Sequence, residues 1–259
     1  MSLSCAIKVE DVTKSFKVHS GRSKTLKDKV ISFRREKWRE FIALENISFE
    51  VPRGSTTALI GLNGSGKSTL LKLMSRIMFP DKGLIHIQGR VSGLLELGAG
   101  FHPDFTGREN IFLNASLFGL TRRETRMKLD DIIEFSELGP FIDEPVRNYS
   151  SGMYMRLAFS VAVAVEPDIL LVDEILAVGD APFQEKCMNR LKKLRSEEKT
   201  IVLVTHDMNA VQQFCDSAVW LHRSRVAMVG TPGQCVDAYL TEVSSKNKSR
   251  QNLMDFDKN

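Results

Sequence analysis

Residues 56–68 read Thr-Thr-Ala-Leu-Ile-Gly-Leu-Asn-Gly-Ser-Gly-Lys-Ser. The first five are apolar or β-branched and predict a buried strand, whereas the next eight satisfy the pattern G-x-x-x-x-G-K-[ST]. Apolar residues at helical spacing directly behind this loop predict a helix over 68–78. Glycines in such a loop allow backbone N–H groups to turn toward a polyphosphate, and the helix N-terminus stabilises its negative charge. The stretch therefore predicts a phosphate site between a strand and a helix.

Individual residues of this loop have distinct expected roles. Lys67 would neutralise the β- and γ-phosphate oxygens of a nucleotide, and Ser68 would bind Mg²⁺ through its hydroxyl. The residues expected to contact the nucleotide are Gly61, Leu62, Asn63, Gly64, Ser65, Gly66, Lys67, Ser68 and Thr69. A chance glycine-rich turn is the alternative, which the flanking strand and helix disfavour.

Acidic residues at the end of a second apolar run supply the carboxylates that such a site needs. The run 169–172 predicts a buried strand, and Asp173 and Glu174 follow at its carboxyl end, where ligands bind in open α/β sheets. We expect Asp173 to bind Mg²⁺ and Glu174 to act as the general base for the attacking water. His206 follows the apolar strand 201–205 and is expected at the γ-phosphate. The alternative interpretation is that Asp173 and Glu174 are only an acidic pair at a strand end and that His206 has only a structural role.

The remaining chain alternates strands and helices around this site. Further strands are predicted at 6–12, 43–51, 83–88, 91–97, 218–221 and 225–229, and helices at 107–118, 121–135, 152–165 and 183–196. The alternation predicts an α/β fold with a mainly parallel sheet that is covered on both faces. The polar stretch 244–259 predicts a disordered tail, which leaves 1–243 as one domain.

Composition narrows the class of protein. The 259 residues are 42% hydrophobic and 26% charged, the balance of a soluble globular chain. Its four cysteines include no C-x-x-C pair, which predicts reduced thiols in a cytosolic protein. No apolar run reaches the roughly 18 to 20 residues that span a bilayer, and the start lacks the apolar core of a secretory signal. Any membrane role is therefore expected to come through a partner.

Positive charge is concentrated in one segment. Residues 17–40 carry nine basic and three acidic residues, although the whole chain is only +4. This argues against nucleic-acid binding and favours one cationic element with a specific neighbour. Apolar residues follow helical spacing within the segment or lie shortly beyond: Leu26, Val30, Phe33, Trp38 and Phe41. A basic amphipathic helix at an anionic membrane surface is one interpretation, and a solvated basic face packed on the sheet is the other.

A further motif lies between the glycine-rich loop and the acidic strand. Residues 149–153, Tyr-Ser-Ser-Gly-Met, resemble the signature Leu-Ser-Gly-Gly-Gln of ABC-type ATP-binding subunits, and Ser150 and Gly152 keep the family's residue types. The resemblance implies ATP and Mg²⁺ as cofactors and a P-loop NTPase fold. That fold has a RecA-like core sheet, an antiparallel β subdomain and a helical subdomain inserted at about 95–165. It also implies a homodimer in which Ser150, Ser151 and Gly152 contact ATP held by the other copy.

Two more positions match the family, and a third region departs from it. Phe16 matches the aromatic residue that stacks on adenine, with a core aromatic at a strand end as the alternative. Asp180 matches the aspartate in the loop that crosses the dimer interface. The loop that carries a metal-sensing glutamine in the family has none here, and within 93–100 only Glu96 offers a metal ligand.

Three stretches place the resemblance in one branch of the family. Residues 95–110, 149–153 and 173–180 are similar to ATPase subunits of exporters for O-antigen, capsule and teichoic acid. The basic insertion at about 17–42 is similar to an extra helix that approaches the membrane side in that group. The implied function is ATP hydrolysis that drives export of a lipid-linked polysaccharide. The implied partner is a separate integral membrane permease in two copies, and the implied place is the cytoplasmic face of the cell membrane.

Three alternatives remain at this stage. An ATPase of another ABC exporter, such as a drug exporter, would keep the chemistry and change the permease. A non-transport ABC protein would act on ribosomes or DNA, although such chains usually carry two cassettes or a long coiled coil. A P-loop kinase would be active as a monomer and would need no signature motif.

Overall fold

The computed structural model describes residues 5–19, 38–94, 98, 100–173 and 179–256. Predictions for Glu96, Glu174 and the helix around Leu26, Val30 and Phe33 lie outside the described residues. The strands are β1 (Cys5–His19), β2 (Trp38–Pro52), β3 (Thr56–Ile60), β4 (Lys82–Ile87), β5 (Val91–Gly93), β6 (Ile169–Val172), β7 (Thr200–Val204), β8 (Ser217–His222) and β9 (Arg225–Gly230). The helices are α1 (Lys67–Met74), α2 (Gly107–Leu117), α3 (Arg122–Ser136), α4 (Ser151–Ala164), α5 (Ala181–Ser196), α6 (Met208–Phe214) and α7 (Pro232–Phe256), with 3-10 turns at Gly139–Phe141 and Val146–Asn148.

A six-stranded sheet in the order β5-β6-β7-β3-β8-β9 forms the centre of the chain. All neighbours pair in parallel except β8 and β9, which are antiparallel. Every residue of β3, β6 and β7 is buried. Strands covered on both faces are rich in apolar and β-branched residues along their whole length, and this is why three such runs predicted them correctly.

The two faces of this sheet pack against different layers. One face buries Phe159 of α4 and Phe183 of α5, together with residues of α6 and α7. The other face packs on Leu70 and Leu71 of α1 and on the antiparallel sheet β2-β1-β4. The predicted α/β architecture with a core sheet and an antiparallel sheet is therefore confirmed.

The hairpin β1–β2 extends further than the sequence predicted. Its ladder runs from Cys5 opposite Pro52 to His19 opposite Trp38, with register shifts between Val9 and Ser15. Bulges of this kind interrupt the alternation of apolar and polar residues by which a strand is recognised in a sequence. Exposed residue pairs of the ladder also need no apolar side chains. The strands therefore enter the segment that the sequence assigned to the basic insertion.

Trp38 and Phe41 belong to this hairpin and not to a helix. Both lie on β2, and each is 51% exposed. Their apolar character was counted toward an amphipathic helix, but the backbone pairs Phe41 with Phe16 across the ladder. The helical interpretation is wrong for these two residues because cross-strand pairing with β1 determines their conformation.

Helices α2, α3 and α4 follow β5 and precede β6 in the chain. They pack together around Ile111, Ile132 and Leu157. Both α2 and α3 begin with a capping box, Thr106 with Glu109 and Thr121 with Glu124. These T-x-x-E motifs satisfy helix N–H groups that would otherwise lack partners, so they set the helix starts. Within the described residues, no helix combines the length and apolarity that crossing a membrane requires.

The chain is helical where its polarity predicted a disordered tail. Helix α7 runs to Phe256, and its start is fixed by Thr231, whose backbone N–H and hydroxyl both contact Gln234. Cys235 is fully buried against the sheet. Extending a helix costs far less than nucleating one, and 244–256 contains neither glycine nor proline to stop it.

We expect Phe159→Ala to lower the free energy of unfolding by about 3–5 kcal/mol, because it empties a fully buried ring site. The ring lies 6.1 Å from Phe135 and 6.3 Å from Phe183, centroid to centroid, so the cavity has aromatic walls that collapse poorly. Urea unfolding measures the change. Phe79→Ala removes the same ring where it is 73% exposed and serves as the matched control, with an expected change within about 0.5 kcal/mol.

Candidate functional site

The loop between β3 and α1 has a backbone that only glycine accommodates. Gly61 has φ 151° and Gly66 has φ 106°. A Cβ atom on Gly61 would overlap the carbonyl oxygen of Leu221 in β8, and one on Gly66 would lie 2.6 Å from the carbonyl oxygen of Ala43 in β2. The loop is thus pressed between two strands, and Gly61 and Gly66 are required by space as well as by φ.

Lys67 lies inside this loop. Its side chain is buried, and Nζ donates to the carbonyl oxygens of Gly61 at 2.7 Å and Leu62 at 3.3 Å. The aliphatic stem spans the loop from the first turn of α1 back to its start. A cationic group is therefore held inside the loop by backbone carbonyl oxygens.

The N-terminus of α1 has no side-chain cap. Gly66 occupies the N-cap position and makes no capping hydrogen bond, whereas α2, α3, α4, α5 and α6 are all capped by a side-chain oxygen. Ser65 Oγ is buried with no hydrogen-bond partner among the described residues. Unsatisfied helix N–H groups beside a buried cation and an orphaned hydroxyl form a site that fits an anion with several oxygens, as a polyphosphate has.

The carboxyl ends of three strands meet beside the loop. Leu59 of β3 pairs with Val204 of β7, and Val172 of β6 pairs with Leu203. Asp173 directly follows β6 and is half-buried, and His206 is exposed two residues after β7. The structure therefore brings the loop, Asp173 and His206 to one edge of the sheet, as their sequence positions predicted. Glu174 lies outside the described residues.

The signature residues form the exposed start of α4. Ser150 is the N-cap, and its hydroxyl accepts a hydrogen bond from the backbone N–H of Met153 at 3.2 Å. Ser151 is exposed, and a Cβ atom on Gly152 would meet only Ser150 Oγ at 3.8 Å. The backbone at this helix start therefore faces open space, which suits contact with a ligand from outside the chain.

Phe16 and Asp180 lie in different settings. Phe16 is half-buried on β1, and Lys14 Nζ lies 5.8 Å from its ring centroid. Asp180 is exposed at the N-cap of α5, where one of its oxygens accepts from the N–H of Phe183 at 3.4 Å.

The sequence did not predict two residues that connect α4 to other parts of the chain. Tyr154 of α4 donates from its hydroxyl to the carbonyl oxygen of Gly98 at 2.6 Å, and Arg156 of the same helix contacts Asp180 at 2.6 Å. Burial raises the pKa of the Tyr154 hydroxyl, so it remains a donor. Their spacing along α4 follows no motif, and the partners lie far away in the chain. No local pattern in the sequence signals either contact.

Comparison with known proteins identifies what this arrangement is similar to. Residues 44–177 match the sequence profile of the family described as ABC transporter. The O-antigen export system ATP-binding protein RfbB of Myxococcus xanthus is 50% identical over 92% of this chain and 56% of its own length. The protein of the same name from Klebsiella pneumoniae is 46% identical over 90% of this chain and 96% of its own length. The teichoic acids export ATP-binding protein TagH of Lactococcus lactis is 44% identical over 90% of this chain and 50% of its own length.

The chain thus spans only about half the length of two of these relatives, 56% and 50%, and nearly the whole of the third, 96%. Among solved structures, a dimeric ATP-binding cassette in a post-hydrolysis state with ADP and Pi superposes with a TM-score of 0.70. It is 24% identical, over 87% of this chain and 98% of that one. At this identity the superposition supports the fold.

We expect Gly61→Ala to lower the free energy of unfolding by more than about 3 kcal/mol in the absence of nucleotide, because the new methyl group overlaps backbone in β8. Gly64→Ala is the matched control in the same loop. Gly64 has φ 81°, but no atom lies within 4 Å of the place its methyl group would take, so only the left-handed backbone cost of about 1–2 kcal/mol applies. Equal effects on urea unfolding would contradict the close approach of the loop to β8.

Proposed function

The chain belongs to the ABC transporter family, and we propose that it is the ATP-hydrolysing subunit of an exporter for a lipid-linked cell-surface polysaccharide. The observation that carries this proposal is the identity of 46% over 90% of the chain to an O-antigen export ATP-binding protein of almost equal extent. The strained loop around buried Lys67 supplies a phosphate site of the required chemistry. O-antigen and teichoic acid name the class of polymer in the relatives, and we extend that class to this chain.

ATP would bind with its phosphates in the glycine-rich loop. Lys67 and the N-terminus of α1, which lacks a side-chain cap, would neutralise the β- and γ-phosphate oxygens. Ser65 would give its orphaned hydroxyl to a phosphate oxygen. Phe16 on β1 would stack on adenine. When bound, ATP supplies the phosphoanhydride bond that is hydrolysed.

Mg²⁺ would be held by Ser68, Asp173 and phosphate oxygens. Among the described residues no three His, Cys, Asp or Glu side chains lie close enough to hold a metal by themselves. A hard cation that keeps waters and shares ligands with a nucleotide fits such a sparse set. Glu96 is a further proposed ligand, from the segment that precedes Gly98 in the sequence.

Hydrolysis would be carried by two residues at the carboxyl edge of the sheet. Glu174 follows Asp173 directly and would accept a proton from the attacking water. His206, after the adjacent strand β7, would contact the γ-phosphate. Both are proposed from strand order and from the family, and the common edge of β6, β7 and β3 supports them.

Two copies would close head to tail over two ATP molecules. The exposed start of α4 would present Ser150, Ser151 and Gly152 to the ATP held by the second copy. Asp180 would lie at the same interface. A Cβ atom on Gly152 would meet only Ser150 Oγ within 4 Å, so a partner loop can approach this helix start closely.

The far end of the β1–β2 hairpin would face the membrane and its permease. Val18, Trp38, Phe41 and Ile42 are exposed there, and the flanking insertion is strongly basic. Aromatic and basic groups together suit an anionic interface. We place the chain at the cytoplasmic face of the cell membrane, bound to two copies of an integral membrane permease.

The hydrolysis proposal is tested by ATP turnover and by molecular mass in saturating Mg-ATP. We expect Glu174→Gln to lower turnover by about 10²- to 10⁴-fold while the variant accumulates as an ATP-bound dimer, because the base is lost and the binding charges remain. Glu185→Gln, an exposed position on α5, is the control and should keep wild-type turnover. A Glu174→Gln monomer with wild-type turnover would favour a P-loop kinase.

Two measurements test the export proposal: identification of the proteins that copurify with the chain from membranes, and ATP turnover in the presence of candidate substrates. We expect an integral membrane permease in the complex, and ATP turnover that rises on addition of lipid-linked polysaccharide. Stimulation by small hydrophobic compounds alone would indicate another ABC exporter. Copurification with ribosomes or DNA, without a permease, would indicate a non-transport ATPase.

A further inference from the structure

Helix α4 is tied to the loops that follow two neighbouring strands. Tyr154 contacts the stretch after β5, where its hydroxyl meets Gly98 and its ring packs edge-on to Phe101 at 5.0 Å between centroids. A Cβ atom on Gly98, which has φ 77°, would overlap the Tyr154 ring. The first link is thus tight enough to require glycine.

Arg156 makes the second link, to the stretch after β6. One terminal nitrogen lies 2.6 Å from Asp180, the other lies 2.9 Å from Glu137, and the guanidinium centre lies 4.9 Å from the ring centroid of Phe183. The Arg156 side chain is only 19% exposed. A planar cation with two carboxylate partners and a ring beneath it has a single well-defined orientation.

Asp180 is held from two directions by this contact. Its Oδ1 accepts from Arg156 of α4 and also from the backbone N–H of Phe183 at the start of α5. Gly179 directly precedes it with φ 75°, and a Cβ atom there would lie 3.5 Å from Arg156 Nε. Asp180 is therefore placed relative to both α4 and the start of α5.

The position of these links in the chain gives them a functional meaning. Asp180 closes the short stretch that begins with Asp173 and Glu174, which carry the proposed metal and base roles. Arg156 itself is six residues beyond Ser150, less than two turns along the same helix. One helix thus joins the proposed contact with the second copy's ATP to Asp180.

We propose that Arg156 is a positioning residue that couples the start of α4, which would meet the second copy's ATP, to Asp180 at the start of α5. It acts through Asp180. The inference rests on the proposed head-to-tail ATPase. Arg156 sets where Asp180 lies relative to α4, so its loss misplaces Asp180 at the proposed dimer interface, lowers kcat and leaves ATP binding to the chain's own loop intact.

The test compares Arg156→Met with Glu137→Gln in the full chain. Arg156→Met breaks both ion pairs of the guanidinium, whereas Glu137→Gln weakens the Glu137 pairs with Arg156 and Lys186 and keeps the link from Arg156 to Asp180. We expect Arg156→Met to lower kcat by about ten- to a hundredfold, because small displacements of reacting groups have effects of this size. ATP affinity at low protein concentration should change less than about twofold. Glu137→Gln should keep kcat within about twofold of wild type.

Two further variants separate positioning from folding. Arg156→Lys keeps a cation that reaches one carboxylate and should recover part of kcat, even if Arg156→Met unfolds. Combining Arg156→Met with Asp180→Asn should lower kcat no further than the more damaging single change, because both act on one contact. Additive losses, or equal losses in Arg156→Met and Glu137→Gln, would overturn the inference.

ATP hydrolysis by the wild-type chain distinguishes failure of this inference from failure of the proposed function. Absence of ATP hydrolysis by the wild type with its permease would remove the proposed function itself. Wild-type hydrolysis that is unchanged in Arg156→Met would leave the proposed function standing and overturn only the role of Arg156.

Discussion

The turn from β3 into α1 constrains the rest of the structure. The backbone passes against the carbonyl oxygen of Leu221 in β8 at Gly61 and against that of Ala43 in β2 at Gly66, and neither position has room for a side chain. This places the core sheet and the antiparallel sheet on either side of one loop. It also leaves the start of α1 without a side-chain cap, whereas the five helices α2 to α6 are capped by their own residues. The helix N–H groups that remain are the ones available to an anion.

The helical region between β5 and β6 is joined to the sheet by more than chain connectivity. Phe159 of α4 is buried on the sheet, and two polar contacts from the same helix reach loops at the sheet edge. Apolar burial carries most of the stabilisation, because Phe159 excludes water completely. The polar contacts fix the orientation of the helix, because a hydroxyl and a guanidinium each donate only to acceptors within a narrow range of positions. Stability and placement are therefore supplied by different side chains of one helix.

The elements predicted best from the sequence are those that are determined locally or by complete burial. The run before Gly61 is apolar or β-branched, the run before Asp173 is apolar throughout, and Thr106 and Thr121 mark helix starts with a glutamate three residues later. Prediction failed where pairing between distant segments overrides local pattern. Trp38 belongs to a bulged ladder whose register no single strand reveals. In the candidate site, the strand-end residues came from chain order, whereas the contacts of Arg156 depend on how two helices and a loop pack.

Lys67 enters any ligand complex already stripped of water. Its ammonium group is buried and held by two backbone carbonyls before a phosphate arrives. The cost of dehydrating that cation therefore belongs to folding, and the unliganded domain carries it permanently. An arriving anion therefore meets a cation whose dehydration has already been completed by folding. Part of the cost of forming an ion pair inside the loop is then absent from the free energy of nucleotide association.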